Sequence, residues 1–218
     1  MIVKLVSQIL TLPGLNKDMP IGIEIQSEDV ARKSLVEYCH RIHQRGLVSA
    51  CGGNASLRLD NGKILVTPSG FALDEVREAD LALIDIEGAL CSACENRPTS
   101  EWQLHLGVYA ARPDIGAVVH THSPAATSFA YCGHLIEPVN PESMACLHDL
   151  PIIPYYQYGS VELAEAVAVG IVDVDALLLA KHGVVAVGKK MRDALHLAEL
   201  VEETALMNIY IKMIKGRN

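Results

Sequence analysis

Two pairs of short β-type runs, each joined by a very short connection, most constrain what this chain can fold into. Ala55–Leu59 and Lys63–Thr67 flank Asn61-Gly62, a strong hairpin turn pair. Ala176–Lys181 and Val184–Val187 flank His182-Gly183. Antiparallel strands can be joined this tightly, whereas parallel neighbours need a crossover of about a dozen residues or more. Leu81–Ile86, Ile115–His122 and a short extended piece at Pro151–Pro154 supply further strands. Helical spacing falls between them. Over residues 27–46, Val30, Leu35, Val36, Cys39 and Ile42 recur on one face, with Ser27 as a cap, Glu28 and Asp29 at the positive end and Gly46 as a stop. Residues 100–111 predict a second helix, with Ser100 and Gln103 as a capping box and Pro113 beyond its end. Ser160–Ile171 and Met191–Lys215 predict two more. Helices interspersed with hairpins favour an α/β layered domain with a largely antiparallel sheet over a doubly wound parallel one.

Composition narrows the classes. The chain has 218 residues, 50% hydrophobic and 20% charged, which suits one sizeable globular core. We expect a single domain over residues 27–218 behind a lead-in at 1–26. That lead-in carries Lys4, but Ser7, Gln8 and Thr11 interrupt its apolar run, so it is read as a lead-in and not a secretory signal. A net charge of −8 argues against nucleic-acid binding, while leaving room for a local anion pocket built from backbone N–H groups. No apolar run is long enough to predict a membrane span. Six scattered cysteines suit a reducing cytoplasm better than a disulfide framework. Cys91 and Cys94 form a lone C-x-x-C pair, read as incidental because no second pair accompanies it.

Four segments carry chemistry. His120-Thr121-His122 ends the apolar run IGAVV. Side chains at i and i+2 of a strand share a face, about 7 Å apart along it, so two imidazoles there can converge on one metal. The same spacing is also met by two polar residues facing water. Lys181-His182-Gly183 follows the buried-type run ALLLA, at a turn where Gly183 is free to take a positive φ. His182 there is either a histidine satisfied by backbone or a third ligand, leaving a fourth position open. Thr99, Ser100 and Glu101 stand at a helix start, where hydroxyls and free N–H groups suit a phosphate, or simple capping. Gly52-Gly53-Asn54 and Thr67-Pro68-Ser69-Gly70 are small polar loops, each able to serve as an anion cradle or as an ordinary turn.

The ordered motifs GGNASLRL, VTPSG, RPTSEWQLHLGVYAARPDIGAVVHTHS and LLLAKHGVVAVG resemble the class II aldolase/adducin family, in its L-fuculose-phosphate aldolase branch. The likeness spans about residues 28–210. It implies a three-layer α/β/α fold with a central, largely antiparallel sheet. It also implies a homotetramer with active sites at subunit interfaces. It further implies a Zn2+ ion, with Mn2+ or Co2+ as alternatives, held by His120, His122 and His182. Glu101 would bind the metal in the empty site and act as general acid/base once substrate displaces it. Gly53, Asn54, Ser69, Gly70, Thr99 and Ser100 would hold the phosphate of a sugar phosphate. The reaction implied is retro-aldol cleavage of a ketose 1-phosphate to dihydroxyacetone phosphate and an aldehyde, with the metal as Lewis acid.

The chain departs from that pattern in two places. The tyrosine that the aldolases carry after the H-x-H strand is absent from Glu137–Ser143, which leaves Tyr155, Tyr156, Tyr158 and Tyr210 as other sources of a phenol. Thr99 stands where serine is usual, with the hydroxyl kept. Pentulose-phosphate 4-epimerases typically have Asp at the position of Glu101, so Glu101 favours a lyase. The stretch LPIIPYYQYGS resembles oxo-tetronate-phosphate decarboxylases of the same family, and methylthioribulose-phosphate dehydratases are a further branch. Non-enzymatic adducin-like domains lose the metal ligands that this chain keeps.

Overall fold

The computed structural model describes residues 27–91, 96–147 and 149–216. The expected lead-in at 1–26 and the Cys94 half of the C-x-x-C pair lie outside them. Helix α1 (Glu28–Gln44) buries Ala31, Leu35, Cys39 and Ile42, a run at three- and four-residue intervals that makes one stripe. Val30, expected in that stripe, is exposed. It sits about 100° around the helix from Ala31 and so points to solvent. Ser27 is extended, but its side chain makes no capping hydrogen bond.

Strands β1 (Asn54–Arg58) and β2 (Ile64–Val66) form the expected hairpin, with Leu57 opposite Leu65 and Gly62 at φ +78° in the turn. Strand β3 (Ala82–Ile84) adds to β2. Helix α2 (Trp102–Ala111) leads to β4 (Ala117–Thr121), which pairs with β1 and not with β3. Two short helices then follow that periodicity does not predict, α3 (Pro124–Cys132) and α4 (Pro141–Cys146). Strand β5 (Ile152–Ile153), helix α5 (Val161–Gly170), the hairpin β6 (Ala176–Leu179) and β7 (Gly183–Gly188), and the long α6 (Met191–Lys215) complete the order.

The seven strands form one sheet in the order β3-β2-β1-β4-β7-β6-β5. Every pairing is antiparallel except β5–β6, which α5 connects as a crossover. Strand alternation splits the core in two. Ala55, Leu57, Leu65, Val119, Leu178 and Ala186 face the α1, α3 and α6 side. Ile64, Val66, Val118, Leu177, Val185 and Val187 face α2 and α5. Both faces are therefore covered by helices, giving the three-layer α/β/α arrangement with a largely antiparallel sheet.

Candidate metal centre and cleft

The sheet order builds the centre. Because β7 lies beside β4, with Thr121 opposite Val184, the β6–β7 turn reaches the end of β4. His182 in that turn thereby meets His120 and His122, although about sixty positions separate them in the chain. His122 Nε2 and His182 Nε2 lie 3.1 and 3.2 Å from His120 Nε2. Glu101, the residue just before α2, completes the group. Its Oε2 lies 3.2 Å from His120 Nε2 and its Oε1 lies 3.4 Å from His182 Nε2.

Two details of the backbone correct the expected turn. The residue with positive φ is Lys181, at +60°, and not Gly183. Gly183 is needed for a different reason: a Cβ there would run into the Thr121 carbonyl oxygen. At Gly53, which does take a positive φ of +75°, a Cβ would also collide with Val48 and the His120 carbonyl oxygen.

The donor set fits a divalent cation. Four ligand atoms stand within 4.8 Å of one another. Tetrahedral ligands about 2.0–2.1 Å from a zinc ion are about 3.3–3.4 Å apart, close to the separations from His120 Nε2 to His122, His182 and Glu101, while the group as a whole spans up to 4.8 Å. His120 Nδ1–H donates to the Val184 carbonyl at 2.8 Å, which turns the Nε2 lone pair towards the other imidazoles. Glu101 Oε1 is buried without a hydrogen-bond donor. Burial, then His120 and His182 beside it, push the His122 imidazole down to about 3. Burial and then His120 push His182 down to about 4. Both imidazoles are therefore neutral at neutral pH, the form able to bind a metal. Burial works against the charged form of Glu101 as well, but the neighbouring His120, its hydrogen bond, His182 and Asn54 together hold the carboxyl well below its usual range. His120 moves the opposite way: burial opposes its charge, and the Glu101 carboxylate outweighs that. The mutual attraction of His120 and Glu101 shows a centre that favours positive charge beside the carboxylate, as a bound cation would supply.

The centre opens into a cleft of about 410 Å³. Gly53, Asn54, Ser69, Gly70, Thr99, Ser100, Glu101, His122 and His182 line it. His120 is wholly buried beneath them. The two polar loops come together because the 67–70 and 97–101 segments are tied to each other. Ser69 N–H donates to Arg97 O at 2.9 Å, and Thr99 N–H donates to Thr67 O at 2.9 Å. The start of α2 is not the expected capping box. Glu101 is its N-cap, without a side-chain cap bond. The carboxylate is turned into the metal centre, and Ser100 is left to face the cleft. Glu137–Ser143 packs against α6 through Glu137 N–H and Asn208 Oδ1, and none of it lines the cleft. Tyr155, Tyr156 and Tyr158 do line it, and Tyr210 does not.

Pro68 of the expected polar loop lines the cleft, and so do Cys51 and Lys181, for which the sequence suggests no role. Behind Glu101, Asn54, His105, Ser56 and Tyr109 form a buried polar row. Its signal was present: Ser56 follows Asn54 by two on a strand, and His105 follows Glu101 by four at a helix start, each among apolar neighbours.

Residues 33–209 match the family described as Class II Aldolase and Adducin N-terminal domain. The L-fuculose phosphate aldolase of Methanocaldococcus jannaschii is 36% identical over 184 residues, covering 83% of this chain and 98% of that protein. A 3-oxo-tetronate 4-phosphate decarboxylase of Haemophilus influenzae is 36% identical over 183 residues, covering 81% of this chain and 86% of its own. A solved structure of an L-fuculose 1-phosphate aldolase superposes with a TM-score of 0.81 at 30% identity, over 88% of this chain and 91% of that one. With the α/β/α fold and the three-histidine, one-glutamate cluster in place, the chain belongs to the class II aldolase/adducin family and is an enzyme of its metal-dependent aldolase type.

Proposed function

We propose that this enzyme cleaves a ketose 1-phosphate of the L-fuculose 1-phosphate kind to dihydroxyacetone phosphate and an aldehyde. The observation that carries the reading is a four-donor cluster on the floor of a cleft whose rim holds a helix start and two polar loops. His120, His122 and His182 would hold the cation, with Glu101 as fourth ligand before substrate enters. Three imidazoles and a carboxylate suit zinc, and manganese or cobalt would fit the same donors less selectively. A cation held there would supply Lewis acidity for the bond cleavage. Ser69, Gly70, Thr99 and Ser100, with Gly53 and Asn54 beside them, receive the phosphate at the positive end of α2. Glu101 is ionised at neutral pH and so is able to accept a proton and return it to the carbon released by cleavage. Tyr155, Tyr156 and Tyr158 present phenols on the cleft wall, in place of the tyrosine missing after β4.

The enzyme is proposed to work as a cytoplasmic homotetramer with its clefts at subunit interfaces. Tyr155 and Tyr158 in the cleft wall, together with Tyr210, Met213 and Ile214 at the end of α6, are exposed in the single chain. Five cysteines among the described residues are free thiols, which suits a reducing compartment. No helix among the described residues is long and apolar enough to cross a membrane.

The test is a product screen. Zinc-loaded protein is incubated with L-fuculose 1-phosphate, other ketose 1-phosphates, pentulose phosphates and oxo-tetronate phosphates. Release of dihydroxyacetone phosphate supports the reading, and its absence across the ketose panel overturns it. Carbon dioxide release would instead select the decarboxylase reading, which the Haemophilus influenzae relative and the tyrosine-rich wall favour.

A further inference from the structure

We propose that His105 is a positioning residue for Glu101, acting through the side-chain amide of Asn54. This rests on reading Glu101 as a member of the metal centre. The five groups form one continuous buried row. Asn54 Nδ2 donates to Glu101 Oε2 at 2.9 Å. The amide orientation that permits this leaves Asn54 Oδ1 facing His105 Nε2 at 2.6 Å. An oxygen there accepts, so His105 must carry its proton on Nε2. Nδ1 is then an acceptor, and the Ser56 hydroxyl donates to it at 2.7 Å. Ser56 Oγ in turn accepts from the Tyr109 hydroxyl at 2.8 Å. Each donor and acceptor has one consistent assignment, running from Tyr109 to the carboxylate.

The row is built where polar groups are costly. His105 and Ser56 are wholly buried, and Asn54, Glu101 and Tyr109 are 4%, 5% and 5% exposed. An apolar residue at position 105 would pack in the α2 face without needing partners, whereas a buried histidine must find both of its hydrogen bonds. The register explains what the cost achieves. Asn54 lies directly opposite His120 on β4, so its amide is the group that spans from the strand to Glu101. Without His105, that amide is free to flip and to present an oxygen to the carboxylate. Its attraction would then become repulsion, and Glu101 would lose its fixed approach to His120 and His182. Removing such supporting partners typically changes metal affinity or activity by about 10–100-fold.

The test reads zinc affinity of the full chain by competition with a chromophoric chelator. His105→Phe is expected to weaken zinc by about tenfold or more. His105→Gln, whose amide N–H can replace the Nε2 donor, restores most of that affinity. In a Glu101→Ala background, His105→Phe makes little further difference, because there is no carboxylate left to position. Equal losses in the Phe and Gln variants, or a loss that adds in full to Glu101→Ala, would overturn the proposal. Nitrogen NMR of the unaltered zinc-loaded protein gives a second readout that needs no variant. It should show His105 protonated at Nε2 alone, and protonation at Nδ1 would also overturn it. Turnover of Glu101→Gln is judged separately. Unchanged turnover would remove Glu101 from the chemistry while leaving a non-additive zinc result, and hence the positioning role, in place.

Discussion

Strand β1 carries two kinds of interior on its two faces. Ala55 and Leu57 point into the apolar layer under α1, α3 and α6. Asn54 and Ser56 point towards α2 and join Glu101, His105 and Tyr109 in a hydrogen-bonded row. Arg58 continues that side, its guanidinium 4.8 Å from the centre of the Tyr109 ring. The apolar side gains from non-directional burial, which tolerates a change of shape at the cost of stability. The polar side gains little net stability from its hydrogen bonds, but it fixes the orientation of each member. One face therefore holds the sheet together, and the other aims a carboxylate at three imidazoles.

That contrast makes variants on the two faces separable. The largest effect is expected at the centre itself. His120→Ala should reduce zinc from about one ion per chain to a small fraction and abolish turnover, by more than the roughly 10–100-fold seen for supporting residues, with the circular dichroism spectrum kept. Full zinc content by elemental analysis would remove His120 from the ligand set. Glu101→Gln comes next. With zinc in excess it keeps the fold and most of the metal, at reduced affinity, and lowers turnover by about 10²–10⁴-fold, the range of general acid–base catalysis. Normal turnover with the screened substrate would sink its acid–base role. On the apolar face, Leu35→Ala should cost about 2–5 kcal/mol in urea denaturation, while the folded fraction binds zinc as before. A parallel loss of zinc affinity would show that the two faces are not separable.

The smallest effect is one of pH. Burial, and then the charge of His120, push the His105 imidazole down to about 3 from an ordinary 6.5. The unfolded chain takes up this proton below about pH 6.5, and the folded chain does so only near 3. His105 therefore leaves stability intact above that window and subtracts from it as pH falls through the window. His105→Gln should make the slope of stability against pH shallower between those limits, by up to about 1.4 kcal/mol per pH unit. Denaturant titrations of chelator-treated protein at several pH values measure this, and an unchanged slope would mean that His105 is not a neutral buried imidazole.

The four long helices and both hairpins were legible because local periodicity and turn chemistry express them. α3 and α4 were not, because they are short and their apolar spacing is weak. Their signals lay in the starts, Ser123-Pro124 and Asn140-Pro141, where proline suits the first helical position. Asn140 even makes the capping box that Ser100 does not. The expected box at Ser100 failed because Glu101 itself occupies the cap position and its carboxylate is drawn to the histidines. His105 was passed over because a single histidine in WQLHLGVYAA looks like a gap in an apolar face until its partners on β1 are known.

By itself the sequence determined the strand-end pair His120 and His122, the tight hairpins and the helical stripes, because each depends on neighbours a few residues away. Its ordered motifs also carried the family and, through the family, His182 and Glu101. The tertiary structure alone decided that β4 sits between β1 and β7. That placement sets Asn54 opposite His120, carries the His182 turn to the end of β4 and lets a helix start deliver Glu101 to the same point. Strand order across a sheet depends on burying two faces at once, and no local pattern along the chain records it.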